Sequence, residues 1–241
     1  MLLSKFMVNN RPGIIVLSDP YINNVVLLMH MEGANNGTTF TDEMGHSVTA
    51  YGNAVTSTTQ SKFGTAAAYF YENDGGDRLH ISHSSNDSLG IGDWTVEFWA
   101  YWPTVLNMGL FQSGSYGSSE SCFMVDINGA NGDVRLTRVV SSAGSSVTIS
   151  GCATNTWHHI AVSQSGSYLR LFVDGVSSTA LSSIPALTST FDYIIGALGD
   201  WNSPTTFGYH LTGYIDELRI TKGVARYTAN FTPPTSPFPN Q

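Results

Sequence analysis

The sequence predicts an all-β sandwich, on three observations. The stretch 155–176, NTWHHIAVSQSGSYLRLFVDGV, holds two runs in which apolar positions alternate along the chain. A small Ser-Gly-Ser connection joins them, and Asp174-Gly175 stops the second. Period-two alternation across a glycine-containing loop marks a β-hairpin, and an Asp-Gly pair supplies the positive-φ positions of a tight turn. The stretch 94–102, WTVEFWAYW, places Trp94, Val96, Phe98, Ala100 and Trp102 on one face and Thr95, Glu97, Trp99 and Tyr101 on the other. Aromatics on both faces predict a central strand covered on both sides. The rest of the chain consists of about a dozen short strand-like runs at turn-marked spacing, with almost no helical period.

Taken in order, residues 1–24 form an N-terminal arm whose apolar piece 14–17 is punctuated by Pro12, Pro20 and Asn23-Asn24. The arm has no unbroken apolar core before a small-residue cleavage site, so it is read as uncleaved. Residues 25–31, VVLLMHM, form a continuous apolar run, the pattern of a strand buried on both faces. Strands follow at 48–51, 54–57, 66–71, 78–81, 94–102, 110–112, 121–128, 133–140 and 146–150. The opening hairpin spans 157–164 and 168–173, and strands at 191–195 and 213–221 complete the set. Residues 199–208 are expected to be a loop carrying Trp201. Val224 to Tyr227 have the pattern of one helical turn, and the chain closes on the proline-rich TPPTSPFP. No linker divides residues 25–238, so they are read as one domain; 239–241 are the C-terminal end.

Composition narrows the partners. The chain has 241 residues and a net charge of −8, with only 12% charged residues, about half the usual ~25%. Nucleic acid is excluded as a partner because no basic run is present to meet phosphates. No apolar run reaches the ~20 residues that span a bilayer, so no membrane is expected. Cys122 and Cys152 lie in separate predicted strands and are read as free thiols of a protein made in a reducing cytosol.

Four motifs occur in order. Asp93-Trp94-Thr95-Val96-Glu97-Phe98-Trp99 and Thr156-Trp157-His158-His159-Ile160-Ala161-Val162 come first. Leu171-Phe172-Val173-Asp174-Gly175 and Gly213-Tyr214-Ile215-Asp216-Glu217-Leu218-Arg219-Ile220 follow. Together they resemble the laminin-G-like domains of the concanavalin A-like lectin/glucanase superfamily across residues 25–238. The closing segment 223–234, GVARYTANFTPP, is similar to one frequent in laminin-G-like structural proteins of tailed bacteriophages. The resemblance implies a jelly-roll sandwich of two antiparallel sheets that serves as a carbohydrate-binding or protein-contact module.

Candidate site residues follow from both lines. The resemblance implies one structural calcium ion clamped between the first and last strands, with Glu32, Asp216 and Asp77 as oxygen ligands. The competing reading has Asp216 capping a turn or pairing with Arg219 or Arg78. A sugar site is expected on loops, at Trp201 with Asn202 and Asp200, and at Tyr116. Trp94, Trp99, Trp102 and Trp157 lie in strands and are assigned to the core. Catalysis is not expected. Glycoside hydrolysis needs two carboxylates on one face, and Asp216 and Glu217, as strand neighbours, should face opposite ways. The histidines lack metal-ligand spacing.

The favoured function is a non-enzymatic bacteriophage virion protein, on a tail, fibre or capsid surface, that attaches to host glycans. It is expected to oligomerise with itself and to contact other virion proteins through the arm and the proline-rich tail. The alternatives are a decoration protein without sugar binding and a polysaccharide-degrading enzyme.

Overall fold

A computed structural model describes residues 18–71, 76–82, 88–114, 121–129, 131–140, 143–182, 187, 192–200 and 203–241. In chain order the strands are β1 (Val25–Met29), β2 (Val48–Tyr51), β3 (Val55–Ser57), β4 (Ala67–Phe70), β5 (Arg78–Ile81) and β6 (Trp94–Tyr101). Then come β7 (Met108–Ser113), β8 (Cys122–Asn128), β9 (Asp133–Val140), β10 (Ala143–Ile149), β11 (Trp157–Ser165) and β12 (Tyr168–Val173). The last are β13 (Val176–Ser177), β14 (Leu181–Ser182), β15 (Tyr193–Ile195), β16 (Leu198–Asp200), β17 (Ser203–Gly208) and β18 (Gly213–Lys222). Among the described residues the helical content is a single 3-10 turn at Ile22–Asn24.

The strands make two antiparallel sheets and a small hairpin, β16–β17. One sheet runs β13-β12-β11-β6-β18-β4-β3, with β1 also paired to β18 and β14 to β12; the other runs β10-β9-β8-β7-β15-β5-β2. The alternation predicted for the central strand explains the core. Trp94, Val96, Phe98, Ala100 and Trp102 are all buried and pack with Ile160, Val162, Leu169 and Leu171 against Phe111, Phe123, Val125 and Leu136 of the facing sheet. Burying such large side chains contributes about 1.5–3 kcal/mol each, before the entropy cost of ordering the chain. Neither cysteine forms a disulfide; Cys152 lies in this core and Cys122 in a small cluster with Met124, Val139 and Leu198.

Three local expectations are corrected. Across the stretch expected to be a loop, residues 198–200 and 203–208 are strands that pair as β16 and β17. The first strand ends at Met29, and Met31 lies at φ 59°, outside strand geometry. Residues 224–227 do not form a helical turn. Thr95 Oγ1 donates to the Val224 carbonyl and accepts the Arg226 N–H, holding the chain extended. The proline-rich tail packs on its own domain, where Phe238 joins Val25 and Leu28 in a buried cluster. The apolar piece 14–17 of the arm lies outside the described residues.

Strand β18 carries an irregularity between Asp216 and Arg219. Glu217 lies there at φ 51°. One extra residue reverses the pleat parity. Ile215, Leu218 and Ile220 all reach the core, while Asp216 and Glu217 both meet segments lying over the outer face. The expectation that these neighbours face opposite ways is overturned by this bulge.

Candidate functional site

The outer face of the larger sheet is built from the residues left over by the core. Ala100 of β6, Ile160 and Val162 of β11 and Ile215 of β18 face the core, so by alternation Tyr101, Trp157 and Tyr214 point outward. Pairing then places them abreast. Trp157 is opposite Tyr101, Tyr101 opposite Tyr214, and Tyr214 opposite Tyr69 of β4. The result is one line of four partly exposed aromatic side chains crossing four adjacent strands. Tyr71, 47% exposed, extends it at one end.

The rings touch in sequence. Centroids are 5.7 Å apart for Tyr101–Trp157, 5.7 Å for Tyr101–Tyr214 and 4.8 Å for Tyr69–Tyr214, with interplanar angles of 53°, 76° and 33°. Cross-strand aromatic pairs of this kind stabilise a sheet, yet here they also leave ring surface in water. The Tyr101 hydroxyl lies 3.4 Å from the exposed Asn155 side-chain oxygen and donates to it. Burial, with each ring's neighbour adding to it, raises the Tyr69 and Tyr214 hydroxyls above the usual tyrosine value. They therefore stay protonated at neutral pH.

The next row along the strands, His159–Trp99–Asp216, is covered. Lys62 places its ammonium 3.8 Å above the Trp99 ring, and Phe63 meets that ring edge-on at 5.9 Å. Beyond it lies a charged row beneath the C-terminal tail. Glu97 is fully buried and accepts from Arg219 at 2.7 and 3.0 Å, from the Tyr227 hydroxyl at 2.8 Å, and pairs with His159 at 3.2 Å. Burial alone pushes the Glu97 carboxyl up, but the Arg219 and His159 partners outweigh it and hold the group at about 2. Asp19 bridges Arg219 and Arg226 on the same face. The tail is further pinned by Phe231 against His159 and Phe172, by its N–H to the Gly175 carbonyl, and by Asn240 to His30. A side chain at Gly175 would meet the Phe231 carbonyl at 1.9 Å, and φ is +79°, so the turn and the tail both require glycine there.

The predicted calcium ligands are placed apart in role. Asp216 accepts the backbone N–H groups of Lys62 and Phe63 at 2.7 and 3.2 Å. Glu32 accepts the Thr65 N–H and hydroxyl on the same loop. Asp77 accepts the N–H groups of Asn53 and Tyr71. Among the described residues no three His, Cys, Asp or Glu side chains gather to hold a metal ion. The groups facing these carboxylates are N–H and O–H donors, which hold an anion and repel a cation, so as placed they do not form a calcium site. Asp216 is thus a turn anchor, the competing reading, although its partners are Lys62 and Phe63 rather than an arginine. Its Oδ1 is buried without a partner, and burial pushes the carboxyl up to about 7.

Trp201, Asn202 and Tyr116, expected to meet sugar, lie outside the described residues, as does the Asp200 side chain at the end of β16. The aromatic row was missed because Trp157 was assigned to the core. The signal was present: with Ile160 and Val162 inside, Trp157 has the opposite parity. A cleft of ≈ 720 Å³ lies at the tail end and is lined by residues including His30, Glu32, Glu43, Glu217 and Phe238. His30 is raised to about 9 there, chiefly by its hydrogen bond to Glu217. No helix among the described residues is long and apolar enough to cross a membrane.

A two-sheet antiparallel jelly roll whose larger sheet turns one aromatic stretch to solvent defines a lectin-like sandwich. The chain belongs to the concanavalin A-like lectin/glucanases superfamily, whose laminin-G-type family model matches residues 73–226. Among solved structures it is similar to domain 4 of AbnA, an extracellular arabinanase from Geobacillus stearothermophilus, determined with arabinotriose. The TM-score is 0.59 and the identity 16%, over 84% of this chain and 94% of that one. It is also similar to the binding domain of Paraclostridial Mosquitocidal Protein 1, at TM-score 0.61 and 13% identity over 84% of this chain and 49% of that one. A third is the binding domain of botulinum neurotoxin DC in complex with SialylT, at TM-score 0.58 and 11% identity over 83% of this chain and 48% of that one. The chain thus spans about half of the toxin binding domains it matches. No curated protein matches it in sequence.

Proposed function

We propose that this chain is a non-enzymatic carbohydrate-binding module and that the row Trp157–Tyr101–Tyr214–Tyr69 is its contact surface. The observation that carries the reading is the row itself: four aromatics in register on four strands, partly exposed where their neighbours along the same strands are covered. A pyranose or furanose ring offers C–H faces rimmed by hydroxyls. Tyrosine and tryptophan offer apolar faces with a polar tip, the complementary combination. The arabinotriose complex of the related arabinanase domain and the SialylT complex of the related toxin domain support a sugar ligand on this fold. With 11–16% identity they do not select the sugar.

Glycan-array binding of the whole chain tests the proposal. Binding by the parent that falls at least tenfold in Trp157→Ala, with an unchanged circular dichroism spectrum, is expected. Parent binding that is equal in Trp157→Ala and lost in Trp201→Ala would move the site to the loop residues Trp201, Asn202, Asp200 and Tyr116.

Within this reading the module belongs to a bacteriophage virion surface and attaches it to host glycans. Support comes from the closing segment 223–234 and from a low-charge, Ser/Thr/Asn/Gly-rich composition. The arm 1–24 serves as the contact with neighbouring subunits. Size-exclusion mass measurement of the chain with and without residues 1–24 tests this; identical monomers would count against it.

A further inference from the structure

We infer that the ligand of the aromatic row is an uncharged glycan held along an internal stretch of its chain, not by a charged or terminal sugar. The inference rests on the carbohydrate reading above and narrows it.

The charge pattern of the face excludes an anionic ligand. Trp157, Tyr101, Tyr214, Tyr69 and Tyr71 carry no formal charge at neutral pH. Recognition of a carboxylate or sulfate calls for a cation with donors to spare, best a bidentate arginine. Of the outward arginines of this sheet, Arg219 is buried beneath the tail and engaged by Glu97 and Asp19, with Arg226 of the tail on the same Asp19, while Arg170 of β12 lies over the Tyr168 ring at the register of Ser163, away from Trp157. Lys62 is the cation in the adjoining row, and its ammonium lies on the Trp99 face. Burial lowers its pKa, while Asp174 and Asp216 pull it back up. A chain of net charge −8 also repels a polyanion at long range.

The shape of the face, over the described residues, favours an internal stretch over a chain end. Three inter-strand steps of about 4.8 Å carry the row roughly 14 Å across the sheet. The row runs out at both sides. Strand β12 pairs with β11 between Ile160 and Ser165 and does not reach the register of Trp157, and Tyr69 faces only Val55 of the short strand β3. The ≈ 720 Å³ cleft is lined by the tail and by His30, Glu32 and Glu217, and none of the row residues contributes to it. Among the described residues no strand continues the aromatic row on either side, and an open platform of this kind supports a polymer that passes over it. The tilted rings present faces and phenol edges in turn, matching a chain that alternates C–H patches and hydroxyls.

The test is affinity electrophoresis of the whole chain through gels containing hydroxyethyl cellulose, arabinan or dextran, and through gels containing polygalacturonate or polysialic acid. Retardation is expected in at least one neutral gel and in neither anionic gel. It should be insensitive to added salt and to Lys62→Ala, and reduced about tenfold or more by Trp157→Ala and by Tyr214→Ala, the loss typical of a hot-spot aromatic. Tyr214→Phe, which keeps the ring, should retain most of the binding and guards against a folding defect. Retardation confined to the anionic gels and abolished by salt or by Lys62→Ala would overturn the inference while leaving sugar binding intact. Inhibition by the monosaccharide at the same molar concentration as by the oligosaccharide would overturn the internal-chain part. No retardation in any gel, together with a silent glycan array, would overturn the underlying carbohydrate reading as well.

Discussion

The outer face of the larger sheet has two halves built from the same strands. At Tyr101, Trp157 and Tyr214 it shows aromatic rings to water; four residues along β6, at Glu97, it hides a carboxylate completely. The covered half lies under residues 224–241, and its polar side chains are matched to that tail bond by bond. The open half has no such matching. Charges can be buried here only because Arg219, Arg226 and Tyr227 compensate them. Aromatics can be left open because water tolerates phenol edges. One pleat thus yields a fastened region and a receptive one, and the difference lies in what covers each.

The contrast breaks most sharply at Glu97. Glu97→Ala removes the buried carboxylate that holds Arg219, Tyr227 and His159 together, leaving Arg219 with Asp19 alone, and should cost about 3–5 kcal/mol, read as a drop in denaturant midpoint. A loss below about 1 kcal/mol would mean that the covered half is not organised around this carboxylate. Tyr227→Phe removes a 2.8 Å hydrogen bond to the same carboxylate. It should cost about 1.5–3 kcal/mol, visible in the same titration.

The pH dependence should separate the two ends of the tail. Glu97 is held at about 2, below its ordinary 4.5, so its contribution is complete above pH 4.5 and is lost as pH falls through 2. His30 is raised to about 9 from 6.5, so its contribution is complete below pH 6.5 and is lost as pH rises through 9. Hydrogen exchange at the Phe238 amide, bonded to Glu217 beside His30, should therefore accelerate above pH 9 beyond the intrinsic rate, and His30→Gln should remove that acceleration. The open half should respond least. Trp157→Ala should cost about 1 kcal/mol of stability while removing glycan binding. If it destabilised the fold as much as Glu97→Ala, the row would be structural.

Much of the fold was legible because alternation and turn residues agree. Strands 48–51, 78–81, 133–140 and 168–173 fall where their patterns end. The Asp174-Gly175 turn has both residues at positive φ, 50° and 79°. The sheet bulge was not legible, since Asp216-Glu217 contains neither glycine nor proline. Its extra residue is fixed by contacts distant in sequence, with Lys62, Phe63 and Phe238. Nor was the extended tail, because a Val-Ala-Arg-Tyr run has ordinary helical propensity and only the buried Glu97 and Thr95 decide otherwise. The aromatic row was half legible. Parity alone turned Tyr101, Trp157 and Tyr214 outward, but their alignment across strands is a matter of register that one sequence does not state.

The tail is fastened by separate side-chain anchors at Tyr227, Asn230, Phe238 and Asn240 rather than by a continuous backbone ladder. Under a pull on its C-terminal end, such fasteners open one after another instead of failing together. Each opening lengthens the slack chain and relieves the load before the next anchor is reached. The segment can therefore yield in steps while the sheet that carries the aromatic row stays whole.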